Sequence, residues 1–213
     1  MKHYNTVLTI AGSDCSGGAG IQADIKAISA LGGYAASAIT AVTVQNTVGV
    51  TAVHPVPADI VEGQIRAVLD DIGAKAIKIG MLQSADIVHL ITRLIKEYDI
   101  RNVVLDPVMV STSGHRLIEE TAISALQTEL IQLTRVITPN IPEAEILLDG
   151  NAITLQEDMP QAVKALSQRY HTSVLLKAGH LTEDNLVDYF YDAEQDELTL
   201  LPSVRVHTRN THG

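Results

Sequence analysis

VLTIAGSDCSGGAGIQADIKAI, residues 7–28, decides the fold. Val7–Ala11 is a short apolar run of strand type. Gly12 to Gly20 is a loop of glycines and small polar residues, and Ile21, Ile25 and Ile28 then recur at the spacing of one helix face. Strand, tight loop and helix repeat outward from this unit. Tyr34–Val44 reads as a second strand, and Val48–Val56 as an extended segment near a sheet edge, because Pro55 and Pro57 lack ladder donors. A helix from Asp59 buries Ile65, Val68, Leu69 and Ile72 before the strand Ala76–Ile79. Ser84 caps a helix whose Ile87, Ile91, Leu94, Ile95 and Tyr98 form an apolar stripe. Val103–Leu105 is a strand ended by Asp106-Pro107. A helix from about Glu119 to Leu130, the strand Val136–Thr138 and a helix opened by Pro142 follow. Another helix and strand reach Lys177, and Leu186–Tyr191 with Leu198–Leu201 form an antiparallel hairpin about the acidic turn Asp192 to Glu197. The pattern is that of an α/β protein, a three-layer α/β/α sandwich with a mostly parallel central sheet and a small antiparallel edge. No repeat or linker divides it, so residues 1–213 are expected to form a single domain.

Composition narrows the function. The chain has 213 residues, 46% of them hydrophobic and 19% charged, which excludes a disordered or collagen-like chain. A net charge of -10 argues against a broad face for nucleic acid or anionic membrane, so any phosphate must be held locally. One cysteine, Cys15, and no leader-like opening point to a reducing cytoplasm. Ala27 to Ala58 carries no Asp, Glu, Lys or Arg, but Gln45, Asn46 and several threonines and glycines interrupt it, so it reads as buried strands rather than a membrane span.

Candidate chemistry gathers where strands end. The Gly12–Gly20 loop opens a helix, where backbone amides and the helix dipole can receive an anion; it is equally readable as a tight turn, with Asp14 and Ser16 as turn and cap residues. It is neither a Walker A loop nor a G-x-G-x-x-G fingerprint. Asp24 has a plain reading as a solvated helix residue. Gln45 offers a donor and an acceptor suited to a pyrimidine edge, beside an Asn46 that suits a turn. Met81 and Val108 can wall a flat ring or simply pack. Asp106, Asn140 and Glu143 are oxygen donors suited to a hydrated Mg²⁺, although Asn140 and Glu143 also fit a helix cap. Lys177 ends a strand before Gly179, within reach of phosphates or as a generic edge lysine. The eight histidines form no zinc motif, His212 reads as a terminal loop residue, and Cys15 has no neighbouring motif for thiol catalysis.

Together Leu8–Asp14, Gly20–Asp24, Thr40–Thr47, Lys78–Leu82, Asp106–Met109 and Thr138–Ala144 resemble the hydroxymethylpyrimidine/phosphomethylpyrimidine kinases of the ribokinase-like superfamily, in order and over nearly the whole chain. The resemblance implies ATP- and Mg²⁺-dependent phosphorylation of 4-amino-5-hydroxymethyl-2-methylpyrimidine, then of its monophosphate, in thiamine biosynthesis. By motif it implies Asp24 and Gln45 at the pyrimidine's polar edge, with Gly12, Met81 and Val108 shaping the pocket. It places Asn140 and Glu143 in the Mg²⁺-linked motif, with Asp106 nearby, and Lys177 on phosphate. Similar enzymes are often homodimers. Thr211-His212-Gly213 matches the start of a glycine-rich anion hole, so Gly213 is a phosphate candidate, and the catalytic cysteine and closing helices are expected beyond it. Ser111–Gly114 is expected to act as a lid. Two alternatives remain: a pyridoxal kinase, disfavoured by Thr43–Thr47, and a non-catalytic pyrimidine-binding regulator.

Overall fold

The computed structural model describes residues 4–109 and 118–208. Its strands are β1 (Thr6–Asp14), β2 (Tyr34–Asn46), β3 (Gly49–Pro55), β4 (Ala76–Ile79), β5 (Val103–Leu105), β6 (Val136–Ile137), β7 (Ser173–Leu176), β8 (Asn185–Asp192) and β9 (Glu197–Val204). The helices are α1 (Gly20–Ala30), α2 (Ala58–Asp71), α3 (Ala85–Glu97), α4 (Glu120–Ala125), α5 (Ile141–Leu147) and α6 (Met159–Tyr170). All nine strands join one sheet in the order β3-β2-β1-β4-β5-β6-β7-β8-β9. From β2 to β7 every pairing is parallel, while β3, β8 and β9 pair antiparallel. This is the expected mostly parallel sheet with antiparallel edges.

The strand order follows from where apolar residues must go. Central strands are short and buried on both faces, so Leu8, Ile10, Ile77, Ile79, Val103, Leu105, Ile137, Val174 and Leu176 lose nearly all solvent contact. Helix α3 supplies Ile87, Ile91, Leu94 and Ile95 to that core, and Ser84 caps it by accepting from the Ile87 amide at 3.5 Å. Pro202 sits within β9, where the outer edge needs no donor. The uncharged stretch 27–58 resolves into the end of α1 with β2 and β3, and among the described residues no helix is long and apolar enough to cross a membrane.

Three expectations need adjustment. On α2, Ile72 is not buried: it lies just past the last turn, at the C-cap, and is 47% exposed. The single helix expected from Glu119 to Leu130 is α4 followed by a π-helical turn, Leu126–Leu130, and a 3₁₀ turn, Ile131–Leu133. The wider turn aligns residues five apart, so Leu126 and Ile131 are both buried. On α1 only Ile21 is fully buried, while Ile25 and Ile28 are half-covered because α1 lies over the outer half of the sheet.

β1 connects through α1 to β2 on one side, whereas β4 connects through α3 to β5 on the other. The chain therefore switches direction between β1 and β4, opening a crevice at their carboxyl ends of the kind where ligands bind in open α/β sheets.

Candidate active site

Gly12 and Met81 face each other across that crevice. A Cβ at Gly12 would lie 2.9 Å from Met81 Cε and 4.0 Å from Thr43 Cγ2, so the glycine is what lets the Met81 side chain pack directly against the end of β1. Thr40 Oγ1 donates to the Met81 carbonyl at 2.9 Å and holds the exit from β4 in place.

The loop after β1 is organised by Asp14, 2% exposed. Its carboxylate accepts from Ser16 N at 2.8 Å, Ser16 Oγ at 2.8 Å, Gly18 N at 3.0 Å and Ala19 N at 2.8 Å. Burial alone would raise its pKa, but the donors from Ser16, Ala19 and Gly18 outweigh that and hold it below the ordinary aspartate value. The anion these amides receive is thus internal: the turn reading of the loop holds, and its free-amide reading does not. At Gly20, φ is +56° and a Cβ would meet the Gly12 carbonyl oxygen at 2.2 Å, so the loop closes back on β1 only through a glycine.

Beside it, Thr43 Oγ1 shares its proton between the Ser13 carbonyl at 3.0 Å and Gln45 Oε1 at 3.2 Å. Cys15 Sγ contacts the Gln45 carbonyl at 3.1 Å, tying the loop to β2. Asn46 Oδ1 accepts from Val48 N and Gly49 N, which makes it the turn residue between β2 and β3. Asp24 is not a solvated helix residue. Its Oδ2 accepts from Thr9 Oγ1 at 2.6 Å and Lys78 Nζ at 3.0 Å.

The second half lies at the ends of β5, β6 and β7. Asp106 Oδ1 accepts from Lys177 Nζ at 2.8 Å and Thr138 Oγ1 at 3.0 Å. Asn140 and Glu143 form a full capping box on α5: Asn140 Oδ1 accepts from Glu143 N at 3.0 Å, and Glu143 Oε2 from Asn140 N at 2.8 Å. The cap does not remove Glu143 from the cluster, since Asp106 and Lys177 both act on its charge. Among the described residues, no group of three His, Cys, Asp or Glu side chains is set to hold a metal directly. Val108 follows Asp106, whose carbonyl accepts from its amide at 2.8 Å. Arg205 fixes the turn beyond Lys177 by donating to the carbonyls of Gly179, Leu181 and Glu183. Gly213, the Ser111–Gly114 lid and His212 lie outside the described residues.

Glu143 is 2% exposed, and its pKa is pushed from 4.5 up to about 7. Burial is the main cause and Asp106 adds to it, against the Asn140 and Met109 amides and Lys177. Folded Glu143 thus keeps a proton that the unfolded chain has released, so the native state binds more protons between pH 4.5 and about 7. Stability falls as pH rises through that window, by about 2–3 kcal/mol in total. Glu143→Gln, melted in chelator, is expected to flatten this decline; parallel melting curves for variant and wild type would refute it.

The two halves are neighbours. Gly80 N donates to the Ile10 carbonyl, Asp106 N to Ile79, Thr138 N to Leu105 and Lys177 N to Pro139, so one continuous series of strand-end hydrogen bonds runs from the crevice to Lys177. Successive strands are about 4.8 Å apart, so the paired ends of β4 and β5, after which Met81 and Asp106 follow, are direct neighbours. A separate cavity of about 490 Å³, near the starts of α2 and α3, contains none of the candidate site residues.

A family model for phosphomethylpyrimidine kinase matches residues 14–213. The chain belongs to the phosphomethylpyrimidine kinase family. A hydroxymethylpyrimidine/phosphomethylpyrimidine kinase of Rhizobium meliloti is 48% identical over 207 residues, covering 97% of this chain and 76% of that protein. A chloroplastic thiamine biosynthetic bifunctional enzyme of Arabidopsis thaliana is 44% identical over 214 residues, and there the chain spans only 41% of the relative's length. The crystal structure of phosphomethylpyrimidine kinase from Clostridium difficile superposes with a TM-score of 0.82 at 44% identity, covering 92% of this chain and 83% of that one. Pyridoxal kinases of Bacillus subtilis and Staphylococcus aureus share the family's fold at 35% and 31% identity.

Three residues that donate to candidate site carboxylates, Thr9, Lys78 and Thr138, lie in the quoted motifs but were given no role of their own from the sequence. The available signal was Lys78, a lone charge within a strand flanked by parallel neighbours, where an ammonium needs a partner.

Proposed function

We propose that this chain is one ribokinase-like kinase domain that phosphorylates the hydroxymethyl group of 4-amino-5-hydroxymethyl-2-methylpyrimidine, and then the resulting monophosphate, with ATP. The observation that carries the reading is the adjacency of the Gly12–Met81 contact, at the switch point between β1 and β4, to the Asp106–Glu143–Lys177 cluster along one run of strand ends. Gly12, Met81 and Val108 flank the ring, and Asp24 and Gln45 meet its polar edge. Lys177 and Gly213 serve the phosphates. Catalysis of this kind is mainly positioning and charge neutralisation: the ring is held so that its hydroxymethyl oxygen lies in line with the γ-phosphorus, and Lys177 balances charge on the transferring group.

Two carboxylates and an amide oxygen are hard donors, and their inner oxygens already accept protein hydrogen bonds. Asp106, Asn140 and Glu143 therefore fit a Mg²⁺ ion that keeps most of its waters. When bound, it supplies positive charge to the phosphate oxygens.

We also place the protein in the cytoplasm as a homodimer acting on small molecules, away from nucleic acid and membrane. The net charge of -10 supports the last part, the separation from nucleic acid and anionic membrane. The exposed apolar residues Val42, Val44 and Val48 support the homodimer.

ADP release with hydroxymethylpyrimidine, its monophosphate and pyridoxal in parallel tests the reading. Turnover of both pyrimidines is expected, and turnover of pyridoxal alone would overturn it in favour of the second reading, that of the pyridoxal kinases sharing the fold. Gln45→Ala is expected to weaken pyrimidine binding about ten- to a hundredfold, the worth of one or two polar contacts in a closed site. Equal calorimetric affinities would remove Gln45 from the pocket.

A further inference from the structure

Lys78 is the only charged residue of β4, and its direct neighbour across the β1–β4 pairing is Thr9. Both reach up to α1 and donate to the same atom, Asp24 Oδ2. The lysine does not stop mid-strand: a Cβ at Gly80 would lie 3.2 Å from its Nζ, so the ammonium sits at the carboxyl end of β4, where the crevice opens. The Lys78 and Asp24 side chains are 25% and 15% exposed, so the pair is only partly screened by water. Thr9 is fully buried, and its hydroxyl fixes the carboxylate from below.

Two donors on Oδ2 orient the carboxylate, and no described group donates to Oδ1. We propose that Lys78, assisted by Thr9, is a positioning and specificity-determining residue that clamps Asp24 so that Oδ1 accepts from the amino group of an aminopyrimidine. This rests on the reading of Asp24 as a pyrimidine contact. Lys78 itself need not touch the ring. Its effect passes through Asp24, and it selects for a substrate carrying an amino donor over the same ring without one.

The test is calorimetric binding of 4-amino-5-hydroxymethyl-2-methylpyrimidine and its deamino analogue to the full chain as wild type, Lys78→Met, Lys78→Arg, Asp24→Asn and Lys78→Met/Asp24→Asn. Lys78→Met is expected to weaken the amino compound about ten- to a hundredfold and the analogue less than about threefold, with partial recovery in Lys78→Arg. Added to Asp24→Asn, it should cost nothing more, as expected of residues acting as one unit. Equal losses for both ligands, or a full additional loss in the Asp24→Asn background, would overturn the inference. If Asp24→Asn weakens binding and Lys78→Met does not, Lys78 alone is wrong. If Asp24→Asn leaves the amino compound's affinity unchanged, the pyrimidine-edge reading falls and takes this one with it. Should Lys78→Met not fold, Thr9→Val removes the other donor with little change of volume, and the same selective loss is expected.

Discussion

Lys177→Met is expected to lower kcat by about 10²–10³, the scale of loss seen when one preorganised donor to developing transition-state charge is removed. Two effects combine. On the proposed phosphate role the transferring group loses a cation, and Asp106 loses the partner that lies 2.8 Å from its Oδ1. Lys177 also works against the upward pull of burial and Asp106 on Glu143, so its removal leaves that carboxyl more fully protonated. Lys177→Arg retains the charge but presents a planar fork in place of a compact ammonium, and is expected to recover only part of the rate. Steady-state ADP release on the purified variants measures this. A Lys177→Met protein within about threefold of wild type would contradict a phosphate role and leave the lysine as an edge residue.

The second large effect is on stability. Asp14→Ala leaves the Ser16, Gly18 and Ala19 amides without the buried carboxylate that receives them, and should destabilise the protein by about 3–4 kcal/mol. For a chain of this size that is roughly 6–16 °C in melting temperature. The sign with pH follows from the depressed pKa. A carboxylate held below 3.8 stabilises the fold above that value, and the benefit is lost as the pH falls through its folded pKa. The gap between wild type and Asp14→Ala is therefore widest near neutrality and narrows on acidification. A gap unchanged down to pH 2.5 would show that the loop is held by something other than this anion.

Most of the architecture was legible because parallel strands buried on both faces announce themselves as short apolar runs. Ala76–Ile79 and Val103–Leu105 coincide with the observed strands to the residue. The π-helical turn at Leu126–Leu130 was not, because it arises from packing Leu126 and Ile131 together rather than from local preference. At the site, residue types were readable and partnerships were not. Asp24 looks like any helix carboxylate until the sheet brings Thr9 and Lys78 beneath it, from 15 and 54 positions away. Asn140 and Glu143 were readable both as a cap and as part of an acidic centre, and the structure combines the two: the capping box holds Glu143 where Asp106 and Lys177 act on it.

The crossover through α3, from β4 to β5, also divides the chain. Nearly everything proposed to meet the acceptor ring precedes α3, and the Asp106, Asn140, Glu143 and Lys177 cluster follows it; only Val108 crosses the boundary. On the proposed roles, a recombination event within α3 would thus exchange one ring-recognition half for another while keeping the Asp106–Lys177 cluster intact. A fold divided in this way can acquire new acceptors by splicing at one helix, without rebuilding the chemistry residue by residue.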